Sequence, residues 1–221
     1  MDLITTLIDF IIHIDEHLSV IISNYGAWTY GILFLIVFAE TGFVVTPFLP
    51  GDSLIFAAAT FAARGDINPW VLFLVVATAG IIGDAVNYSI GHYIGPRVFT
   101  EDVRFLRREY LDKAHEFFEK HGGKAIFLAR FVPIIRTFVP FVAGAGAMSY
   151  GKFVVYNVLG ALTWVGLFDI LGYFFGNIPA VEEHFSLVVI GIILVSLVPA
   201  VSEFIKARME IKNAEVSKEV Q

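Results

Sequence analysis

Residues 40–53 read ETGFVVTPFLPGDS, and they decide the fold because they interrupt a long apolar run. Pro47, Pro50 and Gly51 lie within this short stretch, and no α-helix continues through such a group. The apolar segments on either side are about 18 and 11 residues long, whereas a helix needs roughly 20 residues to cross a bilayer. We therefore expect residues 27–63 to form a re-entrant helical hairpin, which enters and leaves a membrane by one face.

The composition of the whole chain indicates a membrane protein. Of its 221 residues, 57% are hydrophobic and 16% are charged, and the mean hydropathy is +0.75. Soluble domains are about 45–50% apolar and about 25% charged. Uncharged stretches of a length suited to complete or interrupted spans recur along the chain. They cover residues 18–39, 67–83, 137–151, 153–168 and 185–202.

The order of these stretches predicts an all-α polytopic membrane protein in one domain, residues 1–221, with about three to four membrane-spanning helices. The basic segment 97–124 holds seven of the 15 lysines and arginines, so we place it in the cytoplasm together with the C-terminal tail. The predicted segments are an amphipathic N-terminal helix (1–24), hairpin 1 (27–63), a span (69–95), a cytoplasmic amphipathic loop (97–124), hairpin 2 (125–149), two spans (153–176 and 185–205) and a cytoplasmic tail (206–221).

Hairpin 2 repeats the pattern of hairpin 1. Pro133 and Pro140 interrupt its apolar run, and each hairpin is followed by a span that ends in a Gly-x3-Gly pair. The pairs are Gly91/Gly95 and Gly172/Gly176. Tracing the spans from the basic loop puts the ends of the two hairpins on opposite faces, as in a pseudo-inverted repeat. Interrupted segments in two such halves are typical of a transport site near the bilayer midplane.

Four charged residues lie inside the two hairpins, namely Glu40, Asp52, Arg130 and Arg136. Unpaired, they would cost roughly 10–14 kcal/mol in a bilayer, so they must pair or face water. Opposed hairpins would bring the two acids to the two arginines. A guanidinium binds phosphate bidentately, and a carboxylate beside it in a dry site can exchange a proton. We expect Arg130 and Arg136 to bind a substrate phosphate, and Glu40 and Asp52 to couple protons or gate the hairpins.

Other interpretations of the polar residues remain open. The four hairpin charges could form structural salt bridges only. Asp84, Asn87 and Tyr88 share one face of the predicted 69–95 helix, and they form either a polar packing stripe or a support for the site. Asp169 is expected to face the helix bundle.

The remaining motifs exclude several functional classes. The six histidines lack His-Glu-x2-His spacing, and the chain has no Cys, so we expect no metal and no thiol chemistry. Neither a Gly-x4-Gly-Lys-Ser/Thr nor a Gly-x-Ser-x-Gly motif is present, and we expect neither a cofactor nor an enzyme activity. The basic residues are not pooled into a nucleic-acid footprint.

Residues 40–53 and 130–144 (RFVPIIRTFVPFVAG) closely resemble the two signature segments of the bacterial DedA family, and residues 83–88 (GDAVNY) and 121–124 (HGGK) are also similar to it. The resemblance covers essentially the whole chain. It implies a multi-pass inner-membrane protein with two opposed re-entrant hairpins, related to the SNARE-associated/VTT-type lipid scramblases. The family's essential acidic pair and arginine pair fall on Glu40/Asp52 and Arg130/Arg136. Family members are implicated in recycling undecaprenyl phosphate and in membrane homeostasis linked to the proton motive force.

The residues and the resemblance together predict a flippase- or scramblase-like transporter that moves an anionic lipid, undecaprenyl phosphate first among them, across the inner membrane with proton coupling. One alternative is a proton-coupled antiporter of small cations or drugs, against which the paired arginines argue. Others are a phospholipid scramblase for membrane homeostasis, a lipid phosphatase, for which no nucleophile is found, and a structural or chaperone-like membrane protein. The oligomeric state is open, with a homo-oligomer as one option.

Overall fold

The computed structural model describes residues 14–43, 51–94, 108–192 and 194, and the secondary structure in these ranges is helical throughout. This confirms the all-α prediction for the described part of the chain. The helices are α1 (Ile14–Tyr25), α2 (Trp28–Gly42), α3 (Gly51–Arg64), α4 (Pro69–Ile94), α5 (Arg108–His121), α6 (Lys124–Ala129), α7 (Pro133–Val142), α8 (Tyr150–Phe175) and α9 (Pro179–Glu183). A π-helical turn, Ala143–Ala147, follows α7, and residues 185–192 are also helical.

Within the described ranges, α4 and α8 are the two helices long and apolar enough to cross a membrane. Each has 26 residues, which at 1.5 Å per residue gives a length of about 39 Å. The start of α4 is fixed by Asn68, whose Oδ1 accepts hydrogen bonds from the backbone N–H groups of Trp70 and Val71 at 3.0 and 3.2 Å. These helices coincide with the predicted spans 69–95 and 153–176.

Several predicted segments lie partly or wholly outside the described residues. The predicted 185–205 span is described only at 185–192 and 194, and the N-terminal helix only from Ile14 onward. The tail 206–221 and residues 44–50, which include Pro47 and Pro50, are not described. The predicted amphipathic loop contains α5, which packs on α7 and buries Ala114 and Phe118.

The helices α4 and α8 run antiparallel. Near the end of α4, the ring of Tyr88 lies 5.4 Å from that of Tyr150 and 4.4 Å from that of Phe153, both at the start of α8. At the opposite end, Arg64, which shortly precedes α4, donates from Nε to Oδ1 of Asn177, just beyond α8, at 2.9 Å. The pair therefore has two distinct ends.

Exposed aromatic side chains mark both ends of this pair. Trp28 and Trp70, at the starts of α2 and α4, are 78% and 76% exposed. Tyr93 and Tyr150 at the other end are 92% and 53% exposed. Aromatic residues are enriched where a membrane protein meets the two lipid–water interfaces, so this distribution fits helices that cross a bilayer.

The arms of each hairpin pack on different long helices. In hairpin 1, α2 packs on α4 and α3 packs on α8; in hairpin 2, α6 packs on α8 while α7 and the π-helical turn pack on α4. Glycines permit the second-arm contacts, because a Cβ at Gly172 would overlap the carbonyl of Phe56, and a Cβ at Gly91 would overlap that of Phe141. This reciprocal packing is what a duplicated organisation would produce.

The hairpins approach from opposite ends of the α4–α8 pair. The hydroxyl of Tyr30, early in α2, accepts a hydrogen bond at 2.6 Å from the backbone N–H of Asn68, which precedes α4, so hairpin 1 starts at this end. Hairpin 2 returns to the other end, where the hydroxyl of Tyr88 donates to the carbonyl of Met148 at 2.7 Å. The inner ends of both hairpins therefore meet between the long helices.

The break in hairpin 2 differs from the prediction at one proline. The chain leaves the helix at Arg130–Val132, and Pro133 starts α7, as a proline at the first helical position does. Pro140 lies inside α7, so the expectation that it interrupts the hairpin is wrong. Pro140 removes one backbone donor without ending the helix, and the chain widens into the π-helical turn three residues later.

Candidate substrate site

Arg136, in the first half of α7, lies between two carboxylates of the opposite hairpin. Its Nη2 is 3.2 Å from Oε1 of Glu40 in the last turn of α2, and its Nη1 is 3.2 Å from Oδ1 of Asp52 in the first turn of α3. The side chains of Arg136, Glu40 and Asp52 are 7%, 4% and 15% exposed. One guanidinium and two carboxylates therefore meet where the two hairpins meet, and we name these three residues the Arg136 cluster.

Gly51 is adjacent to this cluster and explains why the break between α2 and α3 carries a glycine. Its backbone N–H donates to Oε1 of Glu40 at 3.4 Å. A Cβ at this position would overlap the Glu40 carboxylate, so only glycine fits beside that group.

Trp164 of α8 borders the Arg136 cluster and was not among the residues predicted from the sequence. Its indole is fully buried, and its Nε1 donates to Oδ1 of Asp52 at 2.8 Å. The guanidinium of Arg136 lies over the indole, 4.6 Å from the ring centroid, as in a cation–π interaction. The available sequence signal was a tryptophan in the middle of a predicted span, away from the interfaces where tryptophan usually occurs.

Arg130, which directly follows α6, pairs outside hairpin 1. Its Nη2 lies 2.5 Å from Oδ2 of Asp84, 2.6 Å from Oδ1 of Asn157 and 3.3 Å from the carbonyl oxygen of Gly80. The expectation that both arginines join the acids of hairpin 1 is therefore wrong for Arg130. The reason is that Asp84 on α4 supplies a carboxylate of its own beside the end of α6.

The long helices shape a narrow slot for this side chain. A Cβ at Gly160 of α8 would come within 3.0 Å of Cδ of Arg130, and one at Gly80 of α4 within 3.3 Å of its Nη1. Asn157 is itself fixed, because its Nδ2 donates to the carbonyl of Ile81 at 3.0 Å. We name Arg130, Asp84 and Asn157 the Arg130 cluster.

The other polar residues on α4 connect helices. Nδ2 of Asn87 donates to the carbonyls of Thr41 at 3.2 Å and Thr137 at 2.7 Å, so it ties hairpin 1 to hairpin 2. Tyr88 belongs to the aromatic contacts at the end of α4. On α8, Asp169 is partly buried, and within the described ranges its buried Oδ1 has no hydrogen-bond partner.

Both clusters contain buried polar atoms whose hydrogen-bonding capacity is unused. Among the described residues, Oε2 of Glu40, Nη2 of Arg136 and Nε of Arg130 have no hydrogen-bond partner. The contact of Nη2 with Glu40 is thus an ion pair without hydrogen-bond geometry. The part of the chain that the structure describes holds no group of three or more potential metal ligands. The polar groups of the Arg136 cluster and the neighbouring Trp164 are a guanidinium, two carboxylates and an indole N–H.

Comparison with known proteins gives consistent matches over most of the chain. The VTT domain matches residues 49–174, which include both arginines, Asp52, Asp84 and Trp164. The chain is 56% identical over 209 residues to Protein DedA of Escherichia coli (strain K12), covering 93% of this chain and 95% of that protein. It is 41% identical over 187 residues to an uncharacterized membrane protein of Mycobacterium tuberculosis (strain H37Rv), covering 83% and 82%. It is 32% identical over 156 residues to inner membrane protein YqjA of Escherichia coli (strain K12), covering 70% and 71%. No solved structure matches.

Proposed function

Because the chain belongs to the DedA family of VTT-domain membrane proteins, we propose that it is a transporter of the bacterial inner membrane that returns an anionic lipid, undecaprenyl phosphate, to the cytoplasmic leaflet. The observation that carries this proposal is the Arg136 cluster, a buried guanidinium held by two carboxylates where the inner ends of both hairpins meet. The prenyl chain stays in the bilayer, so only the phosphate needs a polar path.

In this proposal both hairpins are re-entrant, with the C-terminal tail in the cytoplasm. Support comes from the opposite ends from which the hairpins approach the α4–α8 pair and from the length of those helices, about 39 Å. Opposed interrupted segments of this kind form substrate sites in secondary transporters. A phosphate at their inner ends would lie near the bilayer midplane.

We assign the phosphate contact to Arg136 and a holding role to Arg130. Both arginines were predicted to bind phosphate, but Arg130 is already matched by one carboxylate and two neutral acceptors. Arg136 instead forms ion pairs with two carboxylates on separate arms of hairpin 1, and its contact with Glu40 lacks hydrogen-bond geometry. An incoming phosphate can therefore replace a carboxylate at Arg136 more readily than at Arg130.

Proton coupling follows from the charges in the Arg136 cluster. One guanidinium between two ionised carboxylates leaves a net negative charge, which opposes the entry of an anion. Uptake of one proton by this pair of carboxylates removes the net charge and leaves the guanidinium available to a phosphate. Lipid binding would thus be linked to proton uptake, and the proton motive force could drive transport in one direction.

Transport by reconstituted protein tests the proposal. Labelled undecaprenyl phosphate would be placed in proteoliposomes, and its arrival in the opposite leaflet measured with and without a proton gradient. We expect Arg136→Ala to abolish transport and Lys152→Ala, which removes an exposed cation from α8, to leave it intact. Undiminished transport by folded Arg136→Ala protein would overturn the assignment.

A phospholipid scramblase is the second candidate, because phospholipids carry the same phosphate chemistry to Arg136. It predicts movement of labelled phosphatidylglycerol in both directions and independently of the gradient. An antiporter of cations is disfavoured because both carboxylates of the Arg136 cluster are already in contact with a guanidinium. Substrate-dependent proton flux in vesicles of defined lipid composition separates the antiporter from both lipid transporters.

A further inference from the structure

Two nitrogen donors from different helices converge on one oxygen atom. Oδ1 of Asp52 lies 3.2 Å from Nη1 of Arg136 and 2.8 Å from Nε1 of Trp164. This oxygen therefore accepts hydrogen bonds from one cationic and one neutral N–H donor. Such convergence suits any oxyanion, because carboxylate and phosphate oxygens accept the same charge-assisted hydrogen bonds.

Asp52 also covers these donors. Trp164 is fully buried, and Arg136 is 7% exposed, whereas the Asp52 side chain is 15% exposed and is the most accessible member of the cluster. Movement of this one carboxylate would uncover both donors together.

We propose that Asp52 occupies the phosphate position as an internal substitute for the substrate, and that Trp164 is a phosphate-binding residue. When Asp52 withdraws, a phosphate oxygen takes the position of Oδ1 and accepts hydrogen bonds from Nη1 of Arg136 and Nε1 of Trp164. The ring of Trp164 continues to face the guanidinium, which keeps Arg136 oriented while its partner changes. This inference rests on the proposed function and adds a binding residue and a competitor to its site.

The proposal predicts opposite effects for the two residues. Trp164→Phe keeps an aromatic ring under Arg136 but removes the N–H, so in the Asp52→Ala background, where no carboxylate uses that N–H, it should weaken phosphate binding about 10-fold or more. Asp52→Ala removes the competing carboxylate, so it should tighten binding about 10-fold while transport is lost with the coupled acid. If Trp164 only supported the fold by holding Asp52, neither substitution would change affinity in this pattern.

Calorimetric titration of the full-length protein in nanodiscs, with farnesyl phosphate as the probe, measures these affinities. Short-chain phosphatidylglycerol forms the second arm, and preference for one probe distinguishes a phosphomonoester from a phosphodiester headgroup. Trp70→Phe is the matched control. Trp70 is 76% exposed, so this variant should bind the probe like the unchanged protein. Farnesol, which lacks the phosphate, should not bind at the site.

Intrinsic fluorescence gives a second measurement that leaves the site unchanged. The chain has three tryptophans, so the double variant Trp28→Phe/Trp70→Phe leaves Trp164 as the only source of tryptophan fluorescence. Exchange of Asp52 for phosphate at Nε1 should shift its emission in a saturable way with farnesyl phosphate and not with farnesol. This readout does not depend on whether Trp164→Phe folds.

The outcomes separate the two levels of the hypothesis. Equal affinity of Asp52→Ala/Trp164→Phe and Asp52→Ala, weaker binding by Asp52→Ala than by the unchanged protein, or no response of Trp164 emission would each overturn the inference. If Arg136→Ala loses binding while Asp52→Ala/Trp164→Phe binds as tightly as Asp52→Ala, only the inference fails. If Arg136→Ala binds farnesyl phosphate like the unchanged protein, or neither phosphate probe binds, the proposed function fails with it.

Discussion

The two arginines of hairpin 2 are buried to a similar extent but are held in different ways. Arg130 is 4% and Arg136 is 7% exposed. The partners of Arg130 come from the two 26-residue helices, while the carboxylates of Arg136 come from the short arms α2 and α3. Arg130, paired with one carboxylate on a long helix, is suited to holding the structure. Arg136, shared between two carboxylates on the short arms α2 and α3, is suited to exchanging a partner.

The two clusters also differ in which member can become neutral. The Arg130 cluster has one guanidinium and one carboxylate, and the Arg136 cluster has one guanidinium and two carboxylates. A carboxylate can take up a proton, whereas a guanidinium stays charged under all conditions relevant to proteins. The ring centroid of Trp164 lies 5.8 Å from the guanidinium carbon of Arg130 and 4.6 Å from that of Arg136, so the two clusters are neighbours.

The largest effect on stability is expected from Asp84→Ala. It leaves the positive charge of Arg130 buried without its carboxylate, and a guanidinium does not become neutral by losing a proton. Loss of one partner of a buried ion pair costs about 3–5 kcal/mol, so the protein should unfold at a much lower temperature. Arg136→Ala removes the cation itself and leaves no guanidinium without a partner, so its effect should be smaller. Thermal unfolding in detergent compares the two, and equal losses would remove the distinction between the clusters.

The double variant Asp84→Ala/Arg130→Ala sharpens the same comparison. Removal of both charges eliminates the stranded guanidinium, so it should recover about 1–3 kcal/mol relative to Asp84→Ala alone. The quantity to measure is the coupling energy from the four proteins of the double-mutant cycle. Strictly additive losses would mean that the ion pair does not connect α4 to hairpin 2.

The sequence was sufficient for the helical class and for the four hairpin charges, because a charge in an apolar run is costly whatever the fold. It could not decide which acid would meet Arg130. That choice depends on the long helix that passes the end of α6, and Asp84 in a predicted span looked like part of a packing stripe. Pro140 misled for a related reason, since a proline signals a lost donor but α7 continues through it to Val142.

Trp164 and Asn157 were missed because their roles depend on contacts across helices. Both lie in the span predicted from apolar content alone, where a tryptophan is ordinarily bulk and one asparagine is a weak signal. Their significance appears only when α8 is seen to carry Asn157 beside Arg130 and Trp164 beside Arg136. Sequence spacing along one helix does not reveal which hairpin faces each residue.

An intermediate effect is expected from Gly51→Ala in the Arg136 cluster. The added Cβ would overlap the Glu40 carboxylate, and overpacking of this kind costs about 1–3 kcal/mol. Glu40→Ala in the same protein should relieve the overlap and recover stability without restoring transport. Gly151→Ala is the matched control, because a Cβ there meets no atom within 4 Å. Unfolding temperatures of these three variants and the unchanged protein decide whether the inner ends of hairpin 1 are as close as described.

The smallest effect is expected from Asn157→Ala in the Arg130 cluster. It removes one neutral acceptor from Arg130 and the bond from Nδ2 to Ile81, while Asp84 still balances the charge. The loss should be about 1–2 kcal/mol, below that of Asp84→Ala. Affinity for farnesyl phosphate should stay unchanged, since no donor of the Arg136 cluster is touched. An affinity loss of about 10-fold or more would mean that both arginines bind the phosphate, and the division of labour between them would fail.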